Sequence, residues 1–295
     1  MSVPAYTLRT VEVVRTERLS PSFRRITFGG DSVRDMATWG ADQRVKLYLP
    51  LASQRFHALP PQDWNVAWQA LDAADRPARR SYTIRAIRHQ ADELDIDFVL
   101  HGDSGPASAW ATRAQPGDRI QIAAPNRAFS GPYVGYEWRP SPLATKVLVV
   151  GDETALPAIA NIMEDAAERG VSSTVSAIVT VPDPEDSLAA GNAASTIQWL
   201  ARTGDVSHDG IVGAVAALGI EGLENLCAQP VEDASDDPAG RMWDPAMDVE
   251  GEVYVWIAAE AGLVRRFRTE LRKRCGLPKQ ATSLMGYWYS GRPFD

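Results

Sequence analysis

The sequence predicts a β plus α/β protein: a six-stranded antiparallel β-barrel over residues 1–142, then an α/β unit with a parallel sheet over residues 143–295. Three observations carry that prediction. Up to Pro125 the chain runs in short β-rich stretches bounded by turn residues, with little helix between them, as in a closed antiparallel sheet. From Lys146 the period changes: "KVLVVGD" is a continuous apolar strand of the kind buried on both faces, and "LPAIANIMEDAAERG" follows at helical spacing. The charge breaks at the same point, with 19 basic and 15 acidic residues in 1–146 (net +4) against 11 and 23 in 147–295 (net −12).

Taken in order, the barrel strands are expected in "AYTLRTVEVVRTERL", "FRRITFGG", "QRVKLYLP", "RSYTIRAIR", "ELDIDFVLHG" and "GDRIQIAAP". Between the third and fourth lies a long excursion, "HALPPQDWNVAWQALDAADRPA", holding Trp64 and Trp68. One helix is expected at about 105–114, "GPASAWATRA", and the Pro/Gly-rich connector "SGPYVGYEWRPSPLAT" marks the boundary. In the second half the helix at 156–170 ends on Gly170 as its C-cap, and "STVSAIVTV" is the next strand, giving a β-turn-α-β start. The acidic 221–250 stretch reads as loop. "EVYVWIAA" reads as a strand feeding the basic helix 261–276, and "ATSLMGYWYSG" as the last strand.

Composition excludes several classes. The chain of 295 residues is 45% hydrophobic, enough for two cored units, and no run of about 18 apolar residues marks a membrane span. "MSVPAYTLRT" lacks the apolar core of a signal peptide, so a cytoplasmic protein is expected. A net charge of −8 speaks against a nucleic-acid surface. Cys227, Cys275 and the four scattered histidines match no redox, iron–sulfur or zinc spacing, so any metal handled arrives with a substrate.

Two local patterns carry chemistry. In "RRSYTIR", alternation on a strand puts Arg80 and Tyr82 on one side and Ser81 and Thr83 on the other. Arg80 offers a bidentate fork to a diphosphate, Tyr82 a surface for an isoalloxazine ring, and Thr83 a hydroxyl or N–H near the flavin N5 edge. An edge strand with solvated arginines fits the same residues. In "DFVLHGDSGPASAWA", Gly105-Pro106 opens a helix after a strand and a sharp turn, leaving the N–H groups of Ala107, Ser108 and Ala109 to a phosphate. A capped surface helix is the plainer alternative.

Together with "VLVVGDETALPAI", "VYVWIAAEA" and "GYW", in this order, these motifs resemble the siderophore-interacting proteins, flavin-dependent ferric-siderophore reductases of the ferredoxin–NADP reductase-like superfamily. The resemblance spans about residues 6–291 and implies FAD on the barrel and NAD(P)H, or another electron source, at the second unit. It implies Arg80, Ser81, Tyr82 and Thr83 as flavin contacts, and Phe98, Val99, Leu100 and His101 as a strand along the flavin. It implies Gly105, Ala107 and Ser108 as the diphosphate cradle. A hydrogen-bonded structural residue at a strand end is a plainer reading of His101 than a proton carrier.

On the nicotinamide side the resemblance places Gly151, Asp152, Glu153 and Thr154, with Thr154 also facing the flavin edge, and Glu260 orienting a carboxamide. The carboxylates repel phosphate, so a diphosphate is expected beyond them, at the helix amides. Asp183, Glu185 and Asp186 after the second strand favour NADH over NADPH. Arg44, Lys46 and Arg292 are the candidates for holding an anionic ferric siderophore, against the alternative of solvated rim cations. Tyr287 and Trp288 either cover the flavin or pack the last strand. The basic helix 261–276 can dock a ferredoxin or simply face solvent. Two other readings stay open: a general flavin or ferredoxin-type reductase, and a flavoprotein that binds ferric chelates without turnover.

Overall fold

A computed structural model describes residues 3–51, 56–103, 105–171, 174–202, 208–227, 243–247 and 251–291. The chain divides into two compact units, the first running to Tyr136 and the second beginning at Glu137.

The first unit is one antiparallel sheet of seven strands: β1 (Tyr6–Arg18), β2 (Phe23–Gly29), β3 (Arg44–Leu49), β4 (Ala78–Thr83), β5 (Ala86–Arg88), β6 (Glu93–Val99) and β7 (Arg119–Pro125). Their order is β4-β3-β7-β1-β2-β6-β5. The two outermost strands are therefore consecutive in sequence, joined only by Ile84 and Arg85. A sheet whose opposite edges share a two-residue joint is curled so that they approach at that corner, although β4 and β5 do not pair with each other. Ile84 N–H donates to Gln43 O on the β3 side (2.9 Å), and Arg85 N–H donates to Asp95 O on the β6 side (2.9 Å). The expected count of six strands is corrected here: "RSYTIRAIR" is two strands that change partner at a barrel corner.

Inside the curl, Val45, Leu47, Ile26, Phe28, Leu94, Ile96, Phe98, Ile120 and Ile122 form the core. Helix α2 (Pro106–Arg113) seals it with Trp110, whose ring stacks on Phe28 (6.2 Å, 7°). Helix α1 (Trp64–Ala70) covers a second apolar patch on Leu8, Tyr48, Leu59 and Ala123, and Arg79 lies over the Trp68 ring at 4.2 Å. The other face of β6 is ionic. Buried Asp95 accepts from Thr27 Oγ1 (2.7 Å) and, with both oxygens, from Arg88 (2.6 and 2.7 Å). Burial alone would raise its carboxyl, but these donors and the Arg25 charge hold it below its ordinary value.

The second unit is a six-stranded sheet, β10-β9-β8-β12-β13-β11, with β8 (Lys146–Gly151), β9 (Val175–Val181), β10 (Ile197–Ala201), β11 (Trp243–Asp244), β12 (Val253–Glu260) and β13 (Thr282–Trp288). Helices α3 (Leu156–Glu168), α4 (His208–Ala217) and α5 (Ala261–Lys273) accompany it. Five strands run parallel, but β11 joins β13 antiparallel, so the sheet is mixed and the wholly parallel expectation is corrected. β11 also falls inside the 221–250 stretch read as loop. What holds it is not local: Trp243 stacks on Tyr287 (6.0 Å, 9°), and Asp244 pairs with Lys279 (3.0 Å). Gly170 follows α3 at φ +71°, the left-handed end that glycine favours.

Candidate functional site

On the barrel, β4 is an edge strand, so alternate backbone groups of Ala78–Thr83 face away from β3 without a sheet partner. Its side chains alternate about that edge. Tyr82, opposite Val45, packs on Phe98 (4.5 Å, 40°) at the margin of the core and is half-buried. Burial pushes its phenol up, against the nearby Arg80 charge. Arg80 lies opposite Leu47 and donates to the Arg79 carbonyl (2.8 Å). On the other side Ser81 accepts from Lys46 Nζ (2.5 Å), and buried Thr83 stands opposite Arg44.

The strand that pairs with β2 leads into the second half of this site. Phe98 is fully buried, so its ring belongs to the core and only its backbone can meet a ligand. Val99 pairs with Phe23, Leu100 N–H donates to Ser22 O (2.7 Å), and His101 is exposed. The buried Ser108 hydroxyl accepts from His101 N–H (2.9 Å) and donates to Gly102 O (2.7 Å). That side chain is a staple for the turn, so only the Ser108 amide is left for a cradle. Ala109 N–H bonds Gly105 O (2.9 Å), which removes it from the expected set of three amides. Ala107 and Ser108 remain, as the open first turn of a helix with Pro at its first position and no side-chain cap. A Cβ on Gly105 would lie 3.1 Å from the His101 ring, so the turn is already close-packed there.

Sequence reasoning missed Arg24. From β2 it reaches the far end of α2, donating to the carbonyls of Ala111 (2.7 Å), Thr112 (2.7 Å) and Ala114 (3.1 Å). Arg24 satisfies the negative, C-terminal end of the helix dipole, and the uncapped positive end at Ala107–Ser108 favours an anion. The barrel thus presents an edge strand, a half-buried aromatic residue, a guanidinium and an open helix start. These donors fit the ring and diphosphate of a flavin dinucleotide.

In the second unit the strand order reverses between β8 and β12, the place where doubly wound sheets hold ligands. Most of the predicted residues gather there, in roles other than ligand contact. Gly151 makes room for helix packing: a Cβ would lie 2.6 Å from Ile159 Cδ1 and 2.8 Å from Ala155 Cβ. Asp152 is 2% exposed and ties three segments together. Its Oδ1 accepts from Thr154 N–H (2.9 Å) and Thr154 Oγ1 (2.5 Å); its Oδ2 accepts from Glu260 N–H (2.9 Å) and Trp288 Nε1 (2.7 Å). Burial raises this carboxyl, and the hydrogen bonds from Thr154 and Trp288 oppose it.

Glu153 is also buried and pairs with Arg202 (2.5 Å); burial, then the Asp152 charge, push its carboxyl up. Glu260 caps α5, accepting from Leu263 N–H (3.0 Å) and Ser290 N–H (3.2 Å). The expected phosphate-binding amides are occupied as well. Thr154 N–H bonds Asp152 Oδ1, Ala155 N–H bonds Asp152 O (3.0 Å), Leu156 N–H bonds Glu153 O (3.3 Å), and Pro157 has none. The acidic loop behind the NADH preference changes meaning too. Asp183 and Asp186 form a reciprocal cap, with Asp183 accepting from Glu185 N–H and Asp186 from Asp183 N–H, so only Glu185 points its charge outward.

Of the substrate candidates, Arg44 and Lys46 lie on the outward side of β3, and Arg292 lies outside the described residues. Tyr287 stacks on Trp243, and the Trp288 indole is held by Asp152.

A flavin-holding barrel followed by a switch-point sheet defines a ferredoxin-reductase-like flavoprotein. The chain belongs to the siderophore-interacting protein family: the profile of the siderophore-interacting FAD-binding domain matches residues 12–129 and that of the siderophore-interacting protein matches residues 144–291. It is 30% identical over 290 residues to the NADPH-dependent ferric-chelate reductase of Escherichia coli K12, covering 96% of this chain and 93% of that one. It is similar to the crystal structure of the siderophore-interacting protein SipS from Aeromonas hydrophila (TM-score 0.68, 26% identity, 98% and 94% of the two chains). The ferredoxin reductase of carbazole 1,9a-dioxygenase (TM-score 0.56, 13% identity, 98% and 68% covered) shares the fold alone.

Proposed function

We propose that this protein is an FAD-dependent reductase that frees iron from ferric siderophores as Fe(II), with NAD(P)H as the electron source, working in the cytoplasm. The observation that carries the reading is the pairing, on one barrel, of the Arg80–Thr83 edge strand with the uncapped start of α2. Family membership and the name of the E. coli relative support it.

In this reading Arg80 and the amides of Ala107 and Ser108 hold the diphosphate, and Gly105 lets it approach. Tyr82 and the backbone of Ser81–Thr83 hold the ring, and the backbone of Phe98–His101 borders it. FAD, when bound, accepts a hydride's two electrons and gives them up singly. The overall change is NAD(P)H plus two Fe(III) giving NAD(P)+, H+ and two Fe(II). Hard oxygen chelators hold Fe(II) far more weakly than Fe(III), so reduction is release. Arg44 and Lys46 supply local positive charge for an anionic chelate on a protein of net charge −8.

The donor is NADH or NADPH, since a single outward carboxylate, Glu185, is a thin barrier to a 2′-phosphate. The occupied amides of 154–157 favour a second donor reading, a reduced ferredoxin, which needs no diphosphate cradle. Purified protein reconstituted with FAD is reduced anaerobically with NADH, NADPH or reduced ferredoxin, then mixed with ferric chelates and an Fe(II) trap. Bleaching followed by return of the oxidised spectrum with trapped Fe(II) is expected. A colourless protein that refuses FAD overturns the reading.

A further inference from the structure

The barrel carries an aromatic surface that none of these roles uses. Tyr133 stacks on Trp39 (4.8 Å, 17°), and Trp39 also meets Phe129 (5.8 Å, 42°) and the edge of Tyr6 (6.1 Å, 85°). The cluster is rigidly built. Gln43, fully buried, accepts from Trp39 N–H (3.1 Å) and donates to Tyr6 Oη (2.8 Å) and Gly135 O (3.0 Å). Gly135 sits at φ +84° with its Cα against the Tyr6 hydroxyl, Gly131 lies under the Phe129 ring, and Gly40 under Tyr136. Each glycine clears the space an aromatic ring fills. Yet Tyr133 is 47% exposed and its neighbour Val134 45%. Tyr133 is therefore a residue held on one side by Trp39 and open to solvent over about half its surface.

The same scaffold carries cations. Arg44 N–H bonds Gly135 O (2.8 Å) and Tyr6 Oη donates to Arg44 O (2.8 Å), so β3, with outward Arg44 and Lys46, starts from the platform itself. Arg127, two positions before Phe129, is exposed and has no ion pair among the described residues.

We infer that Tyr133, backed by Trp39, is a stacking platform for an anionic ferric chelate whose iron ligands are aryl oxygens, as in catecholates and phenolates. This deepens the reductase reading and rests on it for the identity of the cargo. A fixed ring offers a π face at little entropic cost, and cations carried on the same scaffold supply positive charge to complement the chelate's negative charge. A tris(hydroxamate) chelate shares the hard-oxygen ligand set but has no ring to stack and no net charge, so the platform and its cations discriminate between the two classes.

The test uses redox-inert Ga(III) complexes of catechol and of acetohydroxamate, titrated calorimetrically into the FAD-loaded protein, wild type and Tyr133→Ala, Tyr133→Leu and Tyr133→Phe. Loss of one aromatic stack predicts about a tenfold rise in Kd for the Ga(III) catecholate in the Ala and Leu variants. Tyr133→Phe should bind within about twofold of wild type, as a ring face alone requires. The hydroxamate Kd and the flavin content should not move. Unchanged catecholate binding in both the Ala and Leu variants overturns the platform, as does equal loss of both chelates. Loss of FAD in these variants also overturns it, since the ring would then serve the cofactor. Because gallium is not reduced, these outcomes are read independently of whether the protein turns over Fe(III).

Discussion

Asp152 offers a decisive perturbation, because its sequence position points to a ligand role and its surroundings point to a structural one. Replacing it with alanine leaves four donors, Thr154 N–H and Oγ1, Glu260 N–H and Trp288 Nε1, without the acceptor that now sits within 2.9 Å of each; the Thr154 hydroxyl can turn to another partner, the other three are fixed. An unsatisfied buried donor costs about 1–3 kcal/mol. Removing a carboxylate that burial disfavours, beside Glu153, returns part of that, so the net loss is about 2–4 kcal/mol. For a unit of this size, at about 2–4 °C per kcal/mol, the second unit should melt roughly 4–16 °C lower. Differential scanning calorimetry gives the shift. Amide exchange at Thr154 and Glu260 supplies a local readout and should accelerate. If Asp152→Ala melts within about 2 °C of wild type, with protected amides and a changed KM for NADH or NADPH, Asp152 faces the donor and the structural assignment fails.

Other consequences can be checked with standard assays. Arg80→Ala removes a charged fork worth about 1.5–3 kcal/mol, so the FAD dissociation constant should rise roughly 10- to 100-fold; unchanged flavin retention removes Arg80 from the diphosphate site. Gly151→Ala places a methyl 2.6 Å from Ile159 Cδ1 and 3.0 Å from Ala258 O, and overpacking of this kind should cost about 1–3 kcal/mol in denaturant titration. Because the Asp95 carboxyl is held below its ordinary 3.8, its contribution is full above that value and is lost as pH falls through the lower, folded one. Melts of the barrel unit between pH 5.5 and 3 should therefore show a declining stability that Asp95→Asn flattens; parallel curves for the two proteins would refute the assignment.

Much of this organisation was readable from local spacing. The barrel strands, the helix at 106–113, the β-turn-α-β start and the Arg80–Thr83 edge all depend on neighbours a few residues apart, which is what periodicity and turn chemistry report. What escaped depends on distant partners. The seventh strand exists because the chain at Ile84–Arg85 must change edges to close the curl, a demand invisible in "RSYTIRAIR" itself. β11 is two residues long and stands on Tyr287 and Lys279. Asp152 looks like a ligand residue until Trp288, far along the chain, is seen donating to it. Arg24 reaches α2 across the fold with no local signal at all. The stretch "DPEDS" reads as negative charge facing a nucleotide, whereas two of its three carboxylates, Asp183 and Asp186, close a cap on their own backbone.

The corner at Ile84–Arg85 has an evolutionary corollary. Because the sheet's two margins are consecutive in the chain, every residue assigned here to gripping the flavin, from Arg80 to Ser108, sits in one uninterrupted stretch, 78–113, exchangeable as a cassette. Recombination among relatives can transplant that cassette whole, retuning how the prosthetic group is gripped while the β3 cations and Tyr133 keep whatever taste in cargo they already had.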